Sequence, residues 1–157
     1  MVNGTTKNIY LLRHGKVEGK AALNGVSDVL VNPELQQQIC DALVHQDIAV
    51  DAVITSPLKR CSDLAHLYME RMSVPLSVAP EFQEMSFGEV DGIAFDELED
   101  KWAMLDTFWQ DPSNHKLNGA ESLRSFHERV TQAWSQLVND PSDNLLLVTH
   151  GGVIRML

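Results

Sequence analysis

A three-layer α/β/α sandwich around a mainly parallel sheet is the fold this sequence predicts, and three observations carry the expectation. Short apolar runs alternate with longer segments of helical spacing, the pattern of consecutive strand–helix units. The first and last apolar runs end alike, "IYLLRHG" and "LLLVTHGG", each closing on histidine and glycine. The length of 157 residues suits one domain with a core of ordinary size.

The elements follow in order. "NIYLL" is the first strand; its four apolar residues, Ile9 to Leu12, suit a strand buried on both faces. Gly15 is expected to let the chain turn sharply where a side chain would obstruct it. That places Arg13 and His14 at a strand's carboxyl end, where open α/β sheets bind ligands. A strand stopping at a solvated polar turn fits this stretch equally well, so the rest of the chain decides. "PELQQQICDALVHQ" is a helix with Leu35, Ile39 and Leu43 on one stripe and Pro33 near its start. "DAVIT" is a second strand, and "SPLKRCSDLAHLYMERM" a second helix with Ser56 as N-cap and Pro57 at the first helical position. "PLSVA" is a brief strand leading into the irregular "PEFQEMSFGEVDG". Residues 94–110 read as one helix, whose stripe of Phe95, Leu98, Trp102, Leu105 and Trp109 is taken as helix core. After the loop "DPSNHKLNG", residues 121–138 form an amphipathic helix through Leu123, Phe126, Val130, Trp134 and Leu137. "NLLLVT" is the last strand, and Val153, Ile154 and Leu157 begin a further apolar stripe. Repeats, low-complexity segments and interdomain linkers are absent, so residues 1–157 read as a single domain.

A formal net charge of −10 argues against nucleic acid and anionic membranes as partners. An anionic substrate therefore needs a local cluster of positive charge. Cys40 and Cys61 fall on predicted helices and read as buried free thiols in a reducing compartment. The start "MVNGTTKNIY" lacks the apolar core of a signal peptide, and no run reaches membrane-spanning length. A cytoplasmic location is the expectation.

The strand ends supply that positive cluster. His14 and His150 close two strands expected to point the same way, and "ITSPLKR" sets Arg60 in the first turn of its helix. A helix start offers unpaired N–H groups and the positive end of the dipole, which favours anions. Arg13, His14, Arg60 and His150 thus converge on one sheet edge as a candidate phosphate pocket. Arginine suits it because its planar fork donates paired hydrogen bonds to phosphate oxygens.

The ordered series "LLRHG", "SPLKR", "FQEMSFGEVDG" and "VTHGG" resembles the motifs of the histidine phosphatase superfamily, relatives of phosphoglycerate mutase. The likeness runs from about Ile9 to the end of the chain. It implies a phosphoglycerate-mutase-like fold and a phosphomonoesterase that forms a phosphohistidine. It implies His14 as nucleophile, Arg13, Arg60 and His150 holding the phosphoryl group, and Glu84 as general acid and base. Gly151 belongs to the same binding turn, and no cofactor or metal is called for. Many members carry a phosphate-contacting asparagine where Lys20 stands, so Lys20 or Asn24 is expected to substitute. Glu121 and Ser122 resemble a stretch at the pocket rim. Family members usually continue past this point, so the chain is expected to lack C-terminal elements and to expose apolar side chains on the neighbouring sheet flank.

The segment after Glu84 is compact where mutases carry an insertion, which favours a phosphatase. Brevity and the "LNGVSD" turn look similar to alpha-ribazole-phosphate phosphatases of cobalamin biosynthesis, the best substrate reading. A broad-specificity sugar-phosphate phosphatase, a phosphoglycerate mutase and a non-catalytic phosphate-binding protein are the alternatives. The partner expected is a small-molecule phosphate ester. Other chemistry finds less support. Leu67 occupies the arginine position of a C-x5-R motif begun at Cys61, and His127–Glu128 lacks the second histidine of H-E-x-x-H. His45, His66 and His115 read as surface residues.

Overall fold

Strands β1 (Asn8–Arg13) and β4 (Asn144–Thr149) lie side by side, parallel, with Asn8 opposite Asn144 and Arg13 opposite Thr149. The structure, a computed structural model, describes residues 6–157. The first five residues, which include much of the start read above as lacking a signal peptide, lie outside them. Strand β2 (Ala52–Thr55) pairs with the other edge of β4, and β3 (Leu76–Val78) with β2, giving the order β1-β4-β2-β3, parallel throughout. The parallel α/β architecture is the expected one.

Alternate side chains of β4 feed two cores, because successive residues of a strand point to opposite faces. Leu146 and Val148 pack with Cys40 of α1 (Pro33–His45) and Cys61, Leu64 and Tyr68 of α2 (Lys59–Met72). Leu145 and Leu147 face the opposite core. There they join Leu105 and Phe108 of α3 (Trp102–Gln110) and Phe126 and Val130 of α4 (Leu123–Leu137). Val153 of α5 (Gly151–Met156) completes that core. Each fully buried Leu or Phe contributes about 1.5–3 kcal/mol of transfer free energy, and β4, buried along nearly its whole length, anchors both layers. Cys40 and Cys61 are free and buried.

Three local expectations are corrected and one holds. Strand β1 is an edge strand among those described, and Leu11 is 38% exposed; the apolar run is not buried on both faces. Gly15 stands as expected: a Cβ there would sit 2.5 Å from Ile39 Cδ1, so the close approach to α1, and not a positive φ, calls for glycine. Helix α2 begins at Lys59, not Pro57, because Leu58 is extended. Residues 94–110 are not one helix: single 3-10 turns at Phe95–Glu97 and Glu99–Lys101 precede α3. Leu98 and Leu105 point inward, whereas Trp102 and Trp109 are 44% and 45% exposed and cluster with Phe95, ring centroids 5.8–6.4 Å apart. The two tryptophans of the stripe lie at the surface, while Phe95 packs partly against the core.

Candidate active site

The parallel register of β1 and β4 has a direct consequence. Since Arg13 stands opposite Thr149, His14 and His150 emerge together one residue later, and the His14 amide donates to the Thr149 carbonyl at 3.1 Å. Their rings meet edge to face with centroids 5.3 Å apart. Ser56, at the end of β2, joins them: its hydroxyl lies 2.7 Å from His150 Nε2. Three strand ends therefore converge, and the cleft above them, about 410 Å3, is lined by Arg13, His14, Asn24, Arg60, Glu84 and Gly151 among others.

His14 Nδ1 lies 2.7 Å from the Gly15 carbonyl. A carbonyl can only accept, so Nδ1 carries the ring hydrogen and Nε2 keeps its lone pair. Burial depresses the His14 pKa, with Arg60 and Arg13 adding to the effect against the opposing Gly15 hydrogen bond. The neutral imidazole a nucleophile requires is thus favoured.

Glu84 lines the same cleft from the irregular segment after Phe82. Its carboxylate accepts from the Met85 amide and the Gly152 amide, both at 3.1 Å. Those bonds and the two arginines pull its pKa down, but burial outweighs them and leaves it above the ordinary glutamate value. Sequence reasoning saw the arginines and could not see the burial.

The two arginines differ sharply. Arg13 is exposed at the cleft. Arg60 is 1% exposed, and its guanidinium donates to the carbonyls of Ser27 (2.7 Å), Asn24 (3.0 Å) and Gly25 (2.8 Å). That leaves Nε buried without a hydrogen-bond partner among the described residues. The start of α2 is less open than expected: Asp28 accepts from the Lys59 amide at 2.7 Å and Ser56 from that of Leu58. His150 is fully buried behind the cleft; burial, then Arg60 and the other nearby cations, lower its pKa to about 2. Lys20 is not brought into the cleft. It is an exposed residue whose ammonium pairs with Asp96 at 2.9 Å, while Asn24 stays at the cleft wall with its backbone holding Arg60.

Sequence reasoning missed Gly152, Ser56 and Asp91. Asp91 accepts from the amides of Gly25, Val26, Ser27 and Phe87, tying the loop under Arg60 to the segment after Glu84. The second glycine of "HGG" was the available signal for Gly152; an aspartate in a loop gives none.

A histidine with a free Nε2, flanked by arginines and a carboxyl group held partly out of water, can bind an oxyanion and exchange a proton beside it. Residues 9–157 match the histidine phosphatase superfamily (branch 1), and the chain belongs to that family; it is a phosphatase. A broad-specificity phosphatase of Saccharomyces cerevisiae is 29% identical over 168 residues, spanning 95% of this chain and 67% of that protein. The adenosylcobalamin/alpha-ribazole phosphatase of Salmonella typhimurium is 29% identical over 161 residues, spanning 95% and 76%. Among solved structures, the alpha-ribazole phosphatase of Shigella flexneri has a TM-score of 0.81 at 24% identity over 93% of this chain and 75% of that one. Bacillus stearothermophilus YhfR has a TM-score of 0.84 at 23% identity over 95% and 76%. At such identities these two structures show the shared fold, the phosphoglycerate-mutase-like one expected. No helix among the described residues is long and apolar enough to cross a membrane.

Proposed function

We propose that this protein hydrolyses small phosphate monoesters through a phosphohistidine at His14 Nε2, with residues 1–157 serving as one catalytic domain. The observation that carries the reading is the His14 Nδ1–Gly15 carbonyl contact, which leaves Nε2 unprotonated at the cleft. Nε2 attacks phosphorus while Arg13 and Arg60 stabilise charge on the phosphoryl oxygens. Glu84, protonated at higher pH than an ordinary glutamate, gives its proton to the departing alkoxide. Ionised, it then takes a proton from the water that attacks the phosphohistidine, releasing phosphate. His150 braces His14 and the pocket floor, while Gly151 leaves room for Arg13, whose Cζ would lie 3.1 Å from a Cβ there.

Alpha-ribazole 5'-phosphate is the substrate we infer. Support comes from the relatives of that name and from the cleft's apolar wall of Leu23, Phe87, Leu123 and Phe126, which suits a planar apolar base. Arg155, at the rim of the same cleft, favours a second reading, a broader phosphatase that also accepts carboxylated esters such as phosphoglycerate. A panel of phosphate esters with alpha-ribazole phosphate among them tests this. Highest kcat/KM on that ester supports the first reading, and a flat profile supports the second.

A further inference from the structure

We propose that the Glu121–Arg129 ion pair is the positioning device for Glu84. The inference rests on the phosphohistidine reading and names residues that reading does not use. Glu84 stands on irregular backbone between the 3-10 turns Pro80–Phe82 and Gly88–Val90, outside any α-helix or sheet ladder. Its carboxyl group needs a fixed place nonetheless, because proton transfer demands hydrogen-bonding reach of the leaving oxygen.

Arg129 of α4 supplies the fixture. Its Nη1 donates to the carbonyls of Glu81 at 2.7 Å and Gln83 at 2.9 Å, the second belonging to the peptide immediately before Glu84. Its Nε and Nη2 donate to the two Glu121 oxygens, each at 2.9 Å. Glu121 Oε2 in turn accepts from the Ser86 amide at 3.4 Å. One bidentate pair thereby grips the main chain on both sides of Glu84. The Phe126 ring, 5.0 Å from the guanidinium carbon, supports the fork from below. The two side chains are only 27% and 19% exposed, so water screens the pair weakly.

Two further features favour positioning over mere stapling. The geometry uses four donations from one planar fork, which lysine cannot reproduce. A space of about 220 Å3, lined by Gln83, Glu84, Ser86, Glu121 and Arg129 among others, adjoins this bracket. Glu84 released from its bracket has room to swing there, away from the cleft.

The test is steady-state kinetics of Arg129→Lys and Glu121→Gln on an alkyl phosphate and on para-nitrophenyl phosphate, with inorganic phosphate as competitive inhibitor. We expect kcat/KM, which reads the steps up to phosphohistidine formation, to fall roughly ten-fold or more on the alkyl ester and by under about three-fold on the aryl ester, since nitrophenolate leaves without a proton. Inhibition by inorganic phosphate should be unchanged. The double variant Glu84→Gln/Arg129→Lys should be no slower on the alkyl ester than Glu84→Gln alone, as expected of groups acting as a unit. Equal losses on both esters, or additive losses in the double variant, would assign the pair to general stability and overturn the proposal. Thermal melts confirm folding; where Arg129→Lys does not fold, Glu121→Gln, which keeps the side-chain shape, carries the comparison. Wild-type turnover that survives His14→Ala would instead sink the phosphohistidine reading, whatever Arg129 does.

Discussion

The Gly152 amide donates to Glu84 Oε2 at 3.1 Å, and a methyl group on Gly152 would stand 2.2 Å from Glu84 Oε1. The first residues after the last strand thus hold the carboxyl group and require a bare backbone to do so. Gly152→Ala should therefore push Glu84 aside without disturbing the folded core, because the atom struck is the end of a side chain. The expected outcome is a loss of kcat/KM on alkyl phosphates at least ten-fold greater than on para-nitrophenyl phosphate, within the roughly 10²–10⁴-fold range of general acid catalysis. Glu84→Gln should show the same dependence on leaving group. Kinetics on the two esters check it, and equal losses would leave Glu84 with a structural role.

The pH profile offers a second test. Catalysis needs His14 neutral and Glu84 protonated, and ordinary values of 6.5 and 4.5 give no such window. Burial lowers the first and raises the second, so the two limits move towards each other. We expect kcat/KM on alkyl phosphates to peak at mildly acidic pH and to fall on the alkaline side as Glu84 ionises. Glu84→Gln should remove that alkaline fall from the residual kcat/KM on an alkyl phosphate, whereas wild type on para-nitrophenyl phosphate, whose leaving group needs no proton, should show little of it. An alkaline limb unchanged in the variant would assign it to another group.

Arg13 and Arg60 should separate in stability and not in chemistry. Arg60 is buried on three carbonyls, whereas Arg13 is exposed. Arg60→Lys leaves buried acceptors unmatched and should cost about 1–3 kcal/mol or more, seen as a lower melting temperature. Arg13→Lys should melt close to wild type. Both should lose turnover and affinity for vanadate. Equal melting temperatures would contradict the structural role given to Arg60.

Much of this was legible in sequence, for identifiable reasons. Runs such as "LLLVTH" can hardly be anything but a central strand, and equal endings on two parallel neighbours bring His14 and His150 together by register alone. The aromatic segment shows the limit of periodicity. Leu98 and Leu105 are seven residues apart, and so are Phe95, Trp102 and Trp109. Spacing sees two candidate faces and cannot say which turns inward once 3-10 turns shift the phase. Burial of Glu84, the pinning of Arg60 and the diversion of Lys20 to Asp96 arise from contacts between distant segments, which no local pattern records.

Stability against acid should carry the mark of His150. Its native pKa is lowered to about 2 while the unfolded ring keeps 6.5, so the unfolded chain binds a proton the native one refuses. Stability is full above the unfolded value and is lost as pH falls through 6.5 towards 2. His14 acts in the same direction, and Glu84 in the opposite one. The melting temperature should drop between about pH 7.5 and about pH 5, and His150→Gln should lessen that drop. An undiminished drop would place the acid sensitivity elsewhere.

The central claim, covalent catalysis at His14 Nε2, is tested most directly by trapping the intermediate. The wild-type protein is mixed with a phosphate ester, quenched in alkali within one turnover, and digested for mass spectrometry, with phosphorus NMR to tell the two ring nitrogens apart. The account predicts an acid-labile phosphoryl group on Nε2 of His14, absent from His14→Ala. Phosphate on another residue, or a phosphoenzyme that persists in His14→Ala, would contradict it.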